Sequence, residues 1–477
     1  MPSITFIAPQ TLSSKELTAL REGNFELHSV SMRLESVVEG GRVFTGSGSI
    51  RQTSNGELNF TLYTPEEVSI IEVLQGFTIS SSVPVGTIIP ENKYFRLSAV
   101  DVQGRQWICN RFLPDINSGQ VGTICTGKLD EIIYDTEADP SITDFLFLEI
   151  FDDVKLPYNI PTVINKTAGD RESISHSLNI LQFDACGFKF TLEKEAESLQ
   201  LRATATEARI TEFFETRVIE TLQFVLARPL VWSMMIKQSE GRKRTHIRRT
   251  FSENLRYKIK PPIAITAAKP DWFCKLFELY LNYVNEFDED KLHPVSAQMR
   301  TVCRASIGNV ETSSLILSVA IESILKYVYQ TKFHLTAEEK KWIKTAQKYF
   351  RTWEGPEGLS KRITGLFSVF GNPSAAMRLD ELVEIGAITT DQKRDWGNLR
   401  HKLAHGETLG SVPLQEFLDL SNKVLVLFYH LVFFAIGYEG EYTDYSSAGW
   451  PLRDYKVKLQ ELDQISDLDE KSATDEE

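Results

Sequence analysis

Arg400-His401-Lys402-Leu403-Ala404-His405-Gly406 gathers one arginine and two histidines into six consecutive positions, Arg400 to His405. A guanidinium fork matches the oxygens of a phosphate. An imidazole titrates near neutrality and can take or give a proton. RNA carries its own nucleophile in the 2′-hydroxyl, so a protein that cleaves it need only move two protons and stabilise charge on the phosphate. The residue types therefore suit phosphodiester chemistry on RNA without a metal, and no cofactor is expected.

Spacing alone is weak support. Arg171 and His176 repeat the Arg-four-residues-His pattern in the other half of the chain. Helix geometry sharpens the second occurrence: His401 and His405 lie four apart and share a face, whereas Arg400 and His405 diverge by about 140°. Arg400 and His405 converge only if the helix ends near His405, and Gly406 is the residue that permits such an end. A helix C-terminus also favours imidazolium, nudging His405 towards its protonated form. Basic residues that merely satisfy the last carbonyls of a helix are the structural alternative.

The elements expected to carry this stretch are helical. Trp272, Phe273, Leu276, Leu279, Tyr280 and Val284 recur at three- and four-residue spacing, the stripe of an amphipathic helix. Leu315, Val319, Glu322, Leu325 and Tyr329 define a second helix over about 311–330, apolar on most sides and so expected inside a bundle. Thr336 and Glu339 have capping-box spacing ahead of a third. Thr390-Asp391 is a plausible start for the helix bearing the motif, and a long helix is expected from about 413 to 436. Short connections among such helices predict a bundle of roughly 170 residues.

From about residue 24 to 235 the pattern is instead short alternating segments broken by turn residues, the mark of an antiparallel β domain. Strands are expected over 43–50, 58–63, 94–102, 107–113, 144–151, 187–192 and 223–236, with hairpin turns at Asn55-Gly56 and Asp101-Val102-Gln103-Gly104. His28 and His176 stand alone here and read as structural or surface residues. Exposed loops of such a scaffold are suited to recognition.

With 477 residues, two or three domains are expected. The net charge of −13 advertises no global attraction to nucleic acid, so an RNA site must be a local basic patch. One stands out between Lys237 and Lys260, with nine cations against two acids. Arg242, Lys243, Arg244, Arg248 and Arg249 are the candidate RNA contacts within it; a solvated hairpin without a ligand is the bland alternative. Pro261-Pro262 and Pro270 mark a boundary after it. Five scattered cysteines without a CxxC pair indicate buried thiols in a reducing compartment and make a zinc site improbable. MPSITFIAPQTLSSKELTAL lacks a basic stretch followed by a long apolar core, so no secretion signal is expected. The apolar run Val424 to Gly437 is too short to span a bilayer. A cytoplasmic protein with no membrane partner is expected.

The motif and its setting resemble the HEPN ribonuclease superfamily, and within it the ApeA-type proteins of bacterial anti-phage defence. The resemblance lies in Arg400 and His405 with the polar His401 between them, in Trp396, Leu399 and the His405-Gly406 pair, and in their place late in an all-helical C-terminal region. Glu322 resembles the acidic position that holds the motif arginine, and GYEGEYTDYSSAGW, residues 437–450, resembles the segment following the bundle. The implied fold class is a multidomain α+β protein, an antiparallel β-rich N-terminal domain followed by an all-α HEPN-type bundle. The domains would be 1–265 for sensing or regulation, 266–440 for the bundle, 441–460 for the aromatic extension and 461–477 for an acidic disordered tail with eight acids and one lysine. The implied activity is an abortive-infection endoribonuclease leaving 2′,3′-cyclic phosphate and 5′-hydroxyl ends. His405 would be the general acid/base, Arg400 would bind the scissile phosphate, and His401 would assist. Glu322 and Gly406 would support them, with two chains completing the site as a homodimer through the bundle, released by a phage-derived trigger. Two alternatives stay open: a non-catalytic HEPN-type dimerisation or interaction protein, and a carbohydrate- or nucleotide-binding β domain with a regulatory bundle.

Overall fold

The computed structural model describes residues 11–65, 86–119, 121–168, 171–195, 198–249, 259–265, 269–287, 289–329, 336–367, 373–404 and 413–457. His405, Gly406, Arg256, Lys258 and the acidic tail lie outside them. Two compact units emerge, one formed by Met1–Glu215 with Leu230–Asn254, the other by Thr216–Pro229 with Leu255–Glu477.

The first unit is β-rich and antiparallel. It opens with helix α1 (Ser14–Arg21), whose Ser13 and Glu16 form a capping box. Its strands are β1 (Glu26–Ser36), β2 (Val43–Gln52), β3 (Leu58–Thr64), β4 (Phe95–Asp101), β5 (Gln106–Phe112), β6 (Pro114–Gly119), β7 (Gly122–Leu129), β8 (Glu131–Glu137), β9 (Phe145–Ile150), β10 (Ile160–Ala168), β11 (Arg171–Ala185), β12 (Phe188–Glu195) and β13 (Ser198–Ala205), then β14 (Met234–Ser239) and β15 (Arg242–Arg248). They hydrogen-bond in one sheet, in the order β10-β11-β12-β13-β9-β14-β15-β8-β5-β4-β1-β2-β3-β7-β6. β3 and β5 are four strand steps apart, which is roughly 19 Å across a flat sheet. Yet the rings of Phe60 and Phe112 meet with centroids 5.0 Å apart. The sheet therefore curls on itself, around a core that includes Leu34, Phe60, Leu62, Leu97, Trp107 and Ile132.

Both expected hairpin turns are present. Gly104 joins β4 to β5 at φ +81°, and Gly56 joins β2 to β3 at φ +82°, the left-handed region that glycine reaches without strain. Among the described residues only Gly56 of the Asn-Gly pair is left-handed, so the turn is not the mirror-image type the dipeptide suggests.

One strand expectation is overturned. Residues 223–226 do not belong to a strand but end helix α2 (Phe214–Leu226), and the strand begins only at Met234. Thr221 to Ile236 is an almost continuous apolar run, a pattern that does not distinguish a buried helix from a buried strand. The helix stops where Ala227 takes φ +52° and Pro229 follows.

The second unit is helical. It contains most of α2, then α3 (Pro270–Asn285), α4 (Pro294–Ala305), α5 (Val310–Tyr327), α6 (Ala337–Arg351), α7 (Glu357–Phe367), α8 (Ala375–Glu384), α9 (Thr390–Ala404) and α10 (Leu414–Ala435). Phe224 of α2 stacks on Tyr280 of α3 at 4.3 Å and meets Tyr429 of α10 edge-on at 6.1 Å. α10 is long and apolar enough to cross a bilayer, but Val424 through Phe433 are all buried inside the unit. After it, β16 (Gly440–Thr443) and β17 (Leu452–Tyr455) form a hairpin. That hairpin is fastened to the bundle by Tyr455, whose hydroxyl donates to Ala387 O at 3.0 Å.

α5 also departs from expectation. It buries Ser314, Leu317, Ser318, Ile321, Ile324 and Leu325 but exposes Leu315 and Val319. Its apolar residues wrap further round the helix than the bundle covers.

Candidate functional site

α9 starts where Thr389 and Gln392 cap each other. Thr389 N donates to Gln392 Oε1 at 2.9 Å, and Gln392 N donates to Thr389 Oγ1 at 3.2 Å. Trp396 and Leu399 anchor the helix in the core, and Trp396 Nε1 donates to Ser318 O on α5 at 3.3 Å. One turn beyond Trp396, at the i+4 position, stands Arg400.

The Arg400 side chain is half exposed, and its Nε donates to Glu322 Oε1 on α5. Its guanidinium lies 5.9 Å from the centre of the Trp396 ring. A carboxylate on one edge and an indole beside it fix the fork in direction. Glu322 and Arg400, on different helices and 78 positions apart in sequence, are thus in direct contact. His401 is exposed on the next position of the same helix.

These residues open into a cleft of about 330 Å³, lined by Glu322, Trp396, Gly397, Arg400 and His401 and, across from them, by Ser374, Ala375 and Ala376. A Cβ added at Gly397 would meet nothing within 4 Å, so this glycine widens the floor. The opposite wall is the N-terminus of α8, capped by the Ser374 side chain accepting from Met377 N at 3.2 Å. A helix N-terminus, a guanidinium and an imidazole around one cleft form a setting that favours an anion.

Two links hold α8 in place. Arg378 donates to Leu325 O at 2.7 Å and to Tyr329 O, covering carbonyls at the end of α5. Lys393 of α9 pairs with Asp380 of α8. The contribution of Ser374–Ala376 and Gly397 was not anticipated from the sequence. Ser374 caps α8, but nothing in the local sequence indicates that this helix start faces Arg400. The structure therefore brings Arg400, His401 and Glu322 together, while His405 and Gly406 fall outside the described residues.

The basic stretch of the sheet unit is placed differently. Arg244 is held by Asp135 through two bonds of 2.6 and 2.9 Å. Arg248 pairs with Glu131 at 2.9 Å and lies 3.7 Å over the Trp232 ring. Arg249 pairs with Asp130 at 3.2 Å, and Lys237 with Glu215 at 3.0 Å. β8, the hydrogen-bonded neighbour of β15, supplies Glu131 and Asp135, and Asp130 directly precedes it. Much of the local positive charge is neutralised across the sheet; Arg242 is exposed and Lys243 half-buried. Among the thiols, burial pushes Cys109 up to about 11 and Cys274 and Cys303 up to about 12, which leaves them poor nucleophiles.

No protein-family model matches the chain and no curated protein matches its sequence.

Proposed function

We propose that the helical unit is a HEPN-type endoribonuclease that cleaves RNA through attack of the 2′-hydroxyl. The products would be 2′,3′-cyclic phosphate and 5′-hydroxyl ends. The observation that carries this reading is the Glu322–Arg400 pair, which aims a guanidinium into a cleft also lined by His401 and the start of α8. Arg400 binds the scissile phosphate, His401 assists, and His405, one helical turn after His401 in sequence, is the general acid/base. In-line cleavage benefits from an acid and a base on opposite sides of phosphorus, so two chains meet as a homodimer through this unit. The exposed Leu315 and Val319, on the same side of α5 as Glu322, offer apolar surface for that twin. The β-rich unit restrains the nuclease until a phage-derived trigger arrives, making the protein an effector of anti-phage defence.

The test is RNA cleavage by the full-length chain, with end-group analysis of the products. Arg400→Ala and His405→Ala are each expected to lower the rate by a factor of about 10² or more. Cleavage undiminished in both variants would overturn the reading. An intact dimer with no cleavage under any trigger would favour a non-catalytic interaction protein instead.

A further inference from the structure

Between α5 and α8 the chain makes a detour through α6 and α7, and neither helix buries a single residue. α6 is nevertheless well built. Thr336 and Glu339 form the capping box expected from the sequence, with Thr336 N donating to Glu339 Oε2 at 2.8 Å and Glu339 N to Thr336 Oγ1 at 3.2 Å. Phe350 turns to α7, its ring 5.7 Å from Phe367 and 6.0 Å from Trp353.

The remainder of α6 has a strongly divided surface. At about 100° per residue, Lys340, Lys341, Lys344, Lys348 and Arg351 fall within an arc of about 100°. No acid interrupts the sequence from Lys340 to Arg351. About 80–100° round the helix from the edge of that arc stand Trp342, 67% exposed, and Tyr349, 62% exposed. Seven residues apart, they lie on one line along the helix with a rise of about 10 Å between them.

The hairpin is also rooted at the cleft. α5 carries Glu322, and the Ser374–Ala376 segment that receives the chain again is itself a cleft wall. Arg378 fastens these two feet together through Leu325 O and Tyr329 O.

We propose that α6 and α7 form an arm that binds single-stranded RNA and presents it to the Arg400 cleft. Phosphates lie along the five cations, and unpaired bases stack on Trp342 and Tyr349, the combination that single-strand binders use. The fate of the RNA rests on the ribonuclease reading, whereas the binding stands on the arm. A basic amphipathic helix can also lie on an anionic membrane, but α6 turns Phe350 to α7 and leaves two amphipathic rings outward. The aliphatic side chains a membrane would take are Leu359 and Leu366 of α7.

The experiment uses full-length protein carrying His405→Ala, so that RNA stays intact, and fluorescence anisotropy with a labelled mixed-sequence single-stranded RNA of about 20 nucleotides. Lys341→Gln/Lys344→Gln/Lys348→Gln is expected to weaken binding at least tenfold and to reduce the salt dependence of log Kd by about two units. Trp342→Ala/Tyr349→Ala is expected to weaken it by a further factor of ten or more, with unchanged helicity by circular dichroism. Wild-type affinity in both variants overturns the proposal. So does capture by phosphatidylglycerol vesicles that depends on Leu359 and Leu366 while RNA binding ignores the lysines. If His405→Ala still cleaves, the active-site assignment fails, yet the arm variants still decide who binds the RNA.

Discussion

Arg400 carries the candidate chemistry, and its partner decides whether it can act. An exposed ion pair contributes little to stability, about 0–1 kcal/mol, so Glu322 matters mainly for where it points the guanidinium. Glu322→Ala should leave the melting temperature within a few degrees of wild type while lowering cleavage by a factor of about 10–100. Glu322→Gln, which keeps an acceptor oxygen, should recover part of that loss. Equal rates in all three proteins would sink the positioning role. At this scale the sequence was informative, because Glu322, Trp396, Arg400 and His401 were all singled out from it and do meet. The basic residues of β15 were harder to read. Their partners, Glu131 and Asp135, lie more than a hundred positions earlier, so a local charge count could not reveal the neutralisation.

α2 holds the helical unit together by polar as well as apolar contacts. Arg217 and Glu220 are both buried, 2.7 Å apart, and clasp the connection between α3 and α4 and the start of α4. Glu220 accepts from His293 N at 3.0 Å and from Ser296 Oγ at 3.1 Å, while Arg217 donates to Glu289 O and Lys291 O at 2.6 and 2.8 Å. Burial raises the Glu220 carboxyl above its ordinary range, opposed by Arg217. Removing one member of such a pair strands the other. Glu220→Ala should therefore destabilise the helical unit by about 3–5 kcal/mol in urea unfolding, and a loss below about 1 kcal/mol would contradict the assigned role. Five helices of this unit, α3, α5, α6, α9 and α10, were legible from period and caps, as the reciprocal Thr336–Glu339 cap illustrates, whereas α4, α7 and α8 were not expected. Nor was α2, since it is buried on nearly every side, polar residues included, and so shows no clean apolar stripe in sequence.

For the molecule as a whole, acid is the condition most telling for the helical unit. Burial pushes His430, packed among Tyr442 and Tyr455, down to about 3, and His293, whose Nδ1 accepts from Val295 N at 3.2 Å, down to about 4. Both stay neutral when folded and take a proton near pH 6.5 when unfolded. The unfolded chain thus binds more protons below pH 6.5, and stability falls as pH drops from there towards each folded value. His430 alone should contribute a loss of about 2 kcal/mol between pH 7 and 5. Urea midpoints measured across that interval should decline, and His430→Phe should flatten the decline; an unchanged slope would remove His430 as its cause.

The path of the chain has a consequence for synthesis. α2 emerges between two strands of the sheet unit, yet Phe224 packs on Tyr280 and then on Tyr429 of the last helix. At a translation rate of about 5–20 residues per second, α2 waits roughly 10–40 s for that last partner. The helical unit cannot close around Phe224 before Tyr429 has been made. On the proposed ribonuclease reading, the cutting unit is thus incomplete throughout the synthesis of residues 225–429, when it is held beside the messenger being read.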